Sequence, residues 1–252
     1  MATDADLFEY LLRLGDDRLV LGHRLSEWCG HAPILEEDIA LANIALDLIG
    51  QANNLLQLAG KAEGAGRDQD ALVFFREALA YRNALISELP SGDFAFTIVR
   101  QLLVSVQSML VLEGLQRGAN ADLAGICAKA LKEARYHARH CADWVVKLGD
   151  GTDESHQRAQ RALDDLWRYT GELFETDELE QGLVSRGIAV DTSTYREAWR
   201  AQVAAVVERA TLTLPVDAFM QRGGRVGRHT EHLGHLLAEM QIVARSYPGV
   251  KW

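Results

Sequence analysis

Leucines and other apolar residues recur every three or four positions along almost the whole chain. The stripe Leu7, Leu11, Leu14, Leu21, Leu25 and Trp28 predicts a helix over about residues 4–29, with a bend at Gly15-Asp16-Asp17. His31-Ala32-Pro33 ends it, because a residue before proline is pushed out of helical backbone space. A second helix is expected over about 35–59, with Glu36, Glu37 and Asp38 in its first turn, where carboxylates favour the helix dipole. At 1.5 Å per residue it would run roughly 37 Å. The Gly- and charge-rich run from Gly60 to Asp70 reads as a loop. Further helices follow over about 70–87, 95–116, 121–148, 153–174, 194–210 and 229–246. The segment 95–116 holds the β-branched Ile98, Val99, Val104 and Val106, but the length of its apolar run and its lack of turn signals mark a buried helix. An irregular acidic stretch joins the helices ending near 174 and beginning near 194.

There is no alternating strand pattern, internal repeat or low-complexity segment. The pattern predicts an all-α chain: a ferritin-like helical bundle with additional C-terminal helices, forming one domain over residues 1–252.

Composition narrows the function. The 252 residues include 26 Lys and Arg against 36 Asp and Glu, a formal charge of −10. That balance argues against nucleic acid, whose phosphates need a basic surface. The acidic start, Met1 to Asp6, lacks a positive n-region, so no secretory signal is expected. The most apolar run, Leu102 to Leu112, is interrupted by Ser105, Gln107 and Ser108 and is too short to span a bilayer, so no membrane is expected. Three scattered cysteines, Cys29, Cys127 and Cys141, without Cys-x-x-Cys, suit a reducing cytoplasmic setting.

Long helices with many carboxylates and eight histidines raise the question of a di-iron centre. Such centres take a Glu from each of two helices and a Glu-x-x-His pair from each of two others, since that spacing puts both ligands on one face. No Glu here has His three residues later. Glu133 is followed at that position by Tyr136, Asp47 by Gly50, and Asp153, a candidate helix cap, by His156. Two readings stand for Glu27, Asp47, Glu133 and His137: a metal site, or buried polar groups satisfying one another. On the second helix Asn43, Asp47, Gln51 and Asn54 form a polar stripe; on the last, His232, His235 and Glu239 share a face, as zinc ligands or as core and interface histidines. Arg222, Arg225 and Arg228 punctuate a Gly-rich loop that could meet an anion, a coenzyme A phosphate or an acidic partner. No P-loop or nucleophile elbow is present.

The segments Glu27 to Asp38, Ala45 to Ala52, Lys132 to His137, Gly149 to Thr152, His229 to Gly234 and Ala238 to Gln241 resemble, colinearly and over nearly the whole chain, the structural, non-catalytic subunit of bacterial phenylacetyl-CoA 1,2-epoxidases. The resemblance implies a ferritin-like fold and a place in a multicomponent monooxygenase of aerobic phenylacetate catabolism. It implies no catalytic residue and no cofactor in this chain. The di-iron would sit in a paralogous catalytic subunit, which this chain binds and stabilises, with a reductase bringing electrons from NADPH. Docking through the long N-terminal helices is expected, as is a homodimer of the isolated chain. The alternatives are a divergent metal-binding oxidase using Glu27, Asp47, Glu133 and His137, and an acyl-CoA-binding module using the arginine loop.

Overall fold

The four longest apolar-striped segments become four long helices: α1 (Ala5–Ser26), α2 (Leu35–Glu63), α5 (Phe94–Leu115) and α6 (Ala121–Gly149), with the short α3 (Gln69–Phe74) and α4 (Leu85–Glu88) between the two pairs. After them come α7 (Asp153–Trp167), α8 (Glu178–Ser185), α9 (Arg196–Arg209) and α10 (Glu231–Ser246). The computed structural model describes residues 4–250, among which there is no strand. Met1 to Thr3, part of the acidic start read for a secretory signal, lie outside the described residues.

Helix ends follow local chemistry. Asp4, Asp93 and Asn120 cap α1, α5 and α6 by accepting from Leu7 N at 3.1 Å, Phe96 N at 2.9 Å and Leu123 N at 3.0 Å. Thr152, rather than Asp153, caps α7 through a reciprocal box with Ser155. Gly64 ends α2 in the left-handed conformation, φ 71°. The short loops 27–34 and 116–120 make α1 and α2, and α5 and α6, antiparallel neighbours that pack along their lengths, while α2 also meets α6. α1 runs unbroken through Gly15-Asp16-Asp17; a Cβ on Gly15 would lie 2.8 Å from Leu56 Cδ2, so the glycine lets α1 approach α2. Together the four long helices form the ferritin-like bundle. α7 and α9 cover α5 and α6, and α10 packs on α3 and α4.

By length and composition α2 and α5 could each cross a membrane. The apolar run Leu102–Leu112 is part of a 22-residue helix, longer than the run itself. In this fold α5 is a core helix, with 67% of its most apolar window buried.

Two segments depart from the periodicity. The helix expected over 70–87 breaks into α3, a 3-10 turn at Ala78–Ala80 and α4. Its backbone donors are taken by distant carboxylates: Arg82 N by Asp16 at 2.9 Å, Ala84 N by Asp17 at 2.7 Å and Leu85 N by Glu172 at 2.8 Å. An amide bonded to a remote carboxylate cannot also serve a helix ladder. The helix expected to 174 stops at Trp167, and the acidic stretch after it contains α8, capped by Asp177.

The core lies in two apolar clusters. One gathers Leu21, Leu25, Leu41, Ile44, Leu48, Ile98 and Leu102 with residues of α7 and α9. The other gathers Leu7, Leu11, Leu14, Leu55, Leu56, Leu112 and Leu131 with residues of α8 and α10. A polar layer separates them at mid-bundle.

Candidate functional site

The polar layer begins with one departure from the α1 stripe. Leu7, Leu11, Leu14, Leu21 and Leu25 are buried, and so is Arg18, which holds the stripe position between Leu14 and Leu21. Its guanidinium bonds only neutral acceptors: Nε donates to Gln51 Oε1 at 3.0 Å, Nη1 to Leu14 O at 2.8 Å and Nη2 to Ser108 Oγ at 3.4 Å. Burial draws its pKa below the usual arginine value.

From Gln51 the layer continues to α6. Gln51 Nε2 donates to Glu133 Oε2 at 2.9 Å, and one turn on His137 Nε2 pairs with Asp47 Oδ2 at 3.0 Å. His137 is buried while Asp47 is half-buried. Burial lowers the His137 pKa, and the Asp47 bond opposes that without overcoming it, so the imidazole is held neutral. A further pair, His140 Nε2 and Glu37 Oε2, lies 3.0 Å apart, with the ring of half-exposed Tyr136 stacked on His140.

Of the four candidate ligands, the structure therefore brings Asp47, Glu133 and His137 into one layer but not onto one point. Glu27 is elsewhere: at the end of α1 it accepts from Arg24 at 2.7 Å and from Ser91 at 2.5 Å. Among the described residues no three of His, Cys, Asp and Glu converge as a metal would require. The donor set does not fit two irons. A cationic guanidinium occupies the centre, Glu133 is engaged by a glutamine amide, and Asp47 and His137 face each other. His235 and Glu239, the expected partners of His232 on α10, are exposed. Ligand spacing does not single out Arg18. An arginine at a stripe position of an otherwise leucine-lined helix is the signal that could have found it.

The arginine loop turns inward. Arg225 forms a two-bond pair with Asp17, at 3.0 and 2.8 Å, and also donates to Arg82 O at 2.9 Å. The backbone amides of Gly223 and Arg225 donate to Glu172 Oε1 at 2.8 and 3.4 Å. So the loop does cradle an anion, but it is the chain's own carboxylate. Arg222 and Arg228 stay exposed, beside a groove of about 280 Å³.

On the outside of the polar layer, α2 shows water an apolar face: Leu35, Ile39, Leu46 and Ile49 are exposed, Leu35 to 72% and Leu46 to 66%. Asp47, Gln51 and Glu133 line a surface cavity of about 90 Å³ beside Leu46 and Gly50, so the layer opens onto this face.

The family model described as phenylacetic acid catabolic protein matches residues 1–252. A subunit of the 1,2-phenylacetyl-CoA epoxidase of Escherichia coli (strain K12) is 50% identical over 246 residues, covering 98% of this chain and 99% of that protein. With a family model matching it from residue 1 to residue 252 and a relative half identical over nearly its whole length, the chain belongs to the phenylacetic acid catabolic protein family.

Proposed function

We propose that this chain is the structural, non-catalytic subunit of a ring-1,2-phenylacetyl-CoA epoxidase, a multicomponent di-iron monooxygenase of aerobic phenylacetate catabolism working in the cytoplasm. It binds and stabilises a paralogous catalytic subunit that carries the iron and the substrate, while a reductase delivers electrons from NADPH. The observation that carries this reading is the mid-bundle layer. Two cationic irons need several carboxylates converging on them, whereas this chain puts the Arg18 guanidinium there and ties Asp47, Gln51, Glu133 and His137 to one another.

The exposed face of α2 is the surface we assign to the catalytic subunit. Each large aliphatic side chain fully covered contributes about 1.5–3 kcal/mol, so Leu35, Ile39, Leu46 and Ile49 together supply a strong apolar contact. The test is co-expression with the catalytic subunit, followed by co-purification and iron analysis of the separated chains. Iron is expected in the partner alone. The double substitution Ile39→Asp, Leu46→Asp is expected to abolish co-purification while leaving the melting temperature of this chain nearly unchanged. About two irons bound by this chain and lost on Asp47→Ala would instead establish the metal-oxidase alternative, and an intact complex in the double variant would move the docking face elsewhere.

A further inference from the structure

Beside Arg18 the bundle encloses a cavity of about 30 Å³. Five helices contribute polar groups to its wall: Asp17 and Arg18 from α1, Gln51 from α2, Ser87 from α4, Gln101, Ser105, Gln107 and Ser108 from α5, and His137 from α6. Arg18 is 7% exposed, and Gln101 and Ser87 are buried still more deeply.

The groups around this cavity are incompletely satisfied. Ser87 Oγ and Gln101 Oε1 are buried without a hydrogen-bond partner. Both residues line the cavity; Gln101 Nε2 donates to Ser105 Oγ at 2.9 Å, and turning the amide would let the Ser105 hydroxyl donate to Oε1 instead and present Nε2 to the cavity. Arg18 Nη2 has only the long 3.4 Å contact with Ser108.

The charge is also unmatched. Among the described residues no carboxylate lies within ion-pair distance of Arg18. Asp17, whose charge acts on Arg18 and which also lines the cavity, is already engaged by Arg225 and by the amide of Ala84. Glu133 is reached only through Gln51. A buried cation without a counter-charge costs several kcal/mol.

The cavity has room for one halide-sized ion or about two water molecules. Waters would satisfy the hydrogen bonds and leave the charge uncompensated. An anion would do both, with donors from Arg18, Ser87 and the turned Gln101 amide. We propose that this cavity is a binding site for a single halide-sized monovalent anion, held by Arg18, Ser87 and Gln101 as the counter-ion of the bundle centre. The site draws α1, α4 and α5 onto one charge and does not depend on the partner reading.

The test uses the unmodified chain. Crystals grown in bromide are expected to show one anomalous peak within hydrogen-bonding distance of Arg18 Nη2 and Ser87 Oγ. In solution, chloride is expected to raise the melting temperature relative to gluconate at equal ionic strength, by about 3 °C at ten times Kd. Ser87→Ala, a mild change, is expected to weaken the chloride dependence severalfold. Water peaks without anomalous signal, or equal melting of the unmodified chain in the two salts, would overturn the proposal.

Discussion

Asp16 and Arg18 stand two residues apart on α1, and so point about 200° apart around the helix, into two buried polar regions of opposite construction. Asp16 is fully buried and fully matched. Arg76 donates to both of its oxygens, at 2.9 and 2.5 Å, and Arg82 N adds a third bond at 2.9 Å. Around it Asp17 holds Arg225, and Glu88 accepts from Asn83, His229 and Thr230 N. Each of these charges has an opposite charge or several donors. Arg18 faces a layer of glutamines, serines and a neutral histidine, and among the described residues no carboxylate pairs with it. The matched flank pins α1 to the irregular segment 76–88 and to the start of α10. The mid-bundle layer is placed where a bundle of this kind would hold metals, and it is built from groups bonded to one another at ordinary distances around a guanidinium whose charge is unmatched. A matched region resists change, while an unmatched one tolerates it.

The largest expected effect lies in the matched flank. Asp16→Asn strands the buried Arg76 and should cost about 3–5 kcal/mol, lowering the melting temperature by roughly 10 °C. Chemical denaturation checks it, and a loss under about 1 kcal/mol would erase the contrast between the regions. Arg18→Met, by contrast, removes an unmatched charge and keeps the volume. In chloride-free buffer it should shift stability by less than about 1 kcal/mol, since replacing a buried charge by an apolar side chain is often neutral or stabilising.

A smaller effect separates the regions by pH. Burial disfavours the charged form of His229, but the Glu88 bond and charge outweigh it and raise the pKa. Its stabilisation is therefore complete below about pH 6.5 and is lost as the pH rises through the elevated value. His137 is lowered by burial, so the unfolded chain takes up the proton first, and stability falls as the pH drops below about 6.5. Denaturation midpoints across pH 5–8 should flatten on the acid side in His137→Gln and on the alkaline side in His229→Gln. The same slope in both variants would show that the two histidines are not held in opposite states.

The four long helices were legible because their stripes are long and their caps local: Asp4, Asp93 and Asn120 sit where the patterns begin. The 70–87 segment was not, because Asp16, Asp17 and Glu172, far away in sequence, take the amides a helix would need. Sequence spacing alone could not foresee that competition. The absence of Glu-x-x-His was visible, and Asp47, Glu133 and His137 do fall in one layer. Glu27 falls outside the layer because it lies past the end of α1, where Arg24 and Ser91 take its oxygens. Residue type marks the arginine loop but does not orient it. Its direction is set by Asp17 and Glu172, from two other elements.

The polar layer between the two apolar clusters also acts as an index mark for assembly. Leucine-lined helices can slide past one another by a turn at little cost, because one leucine substitutes for the next. Here a slip of α2 against α1 by one turn, about 5.4 Å, would part Gln51 from Arg18 and bring Leu48 or Leu55, each about a turn away, toward the guanidinium. Slipping α6 against α2 would likewise separate Asp47 from His137. A few weak polar contacts thus select one register among several that the leucines alone would accept.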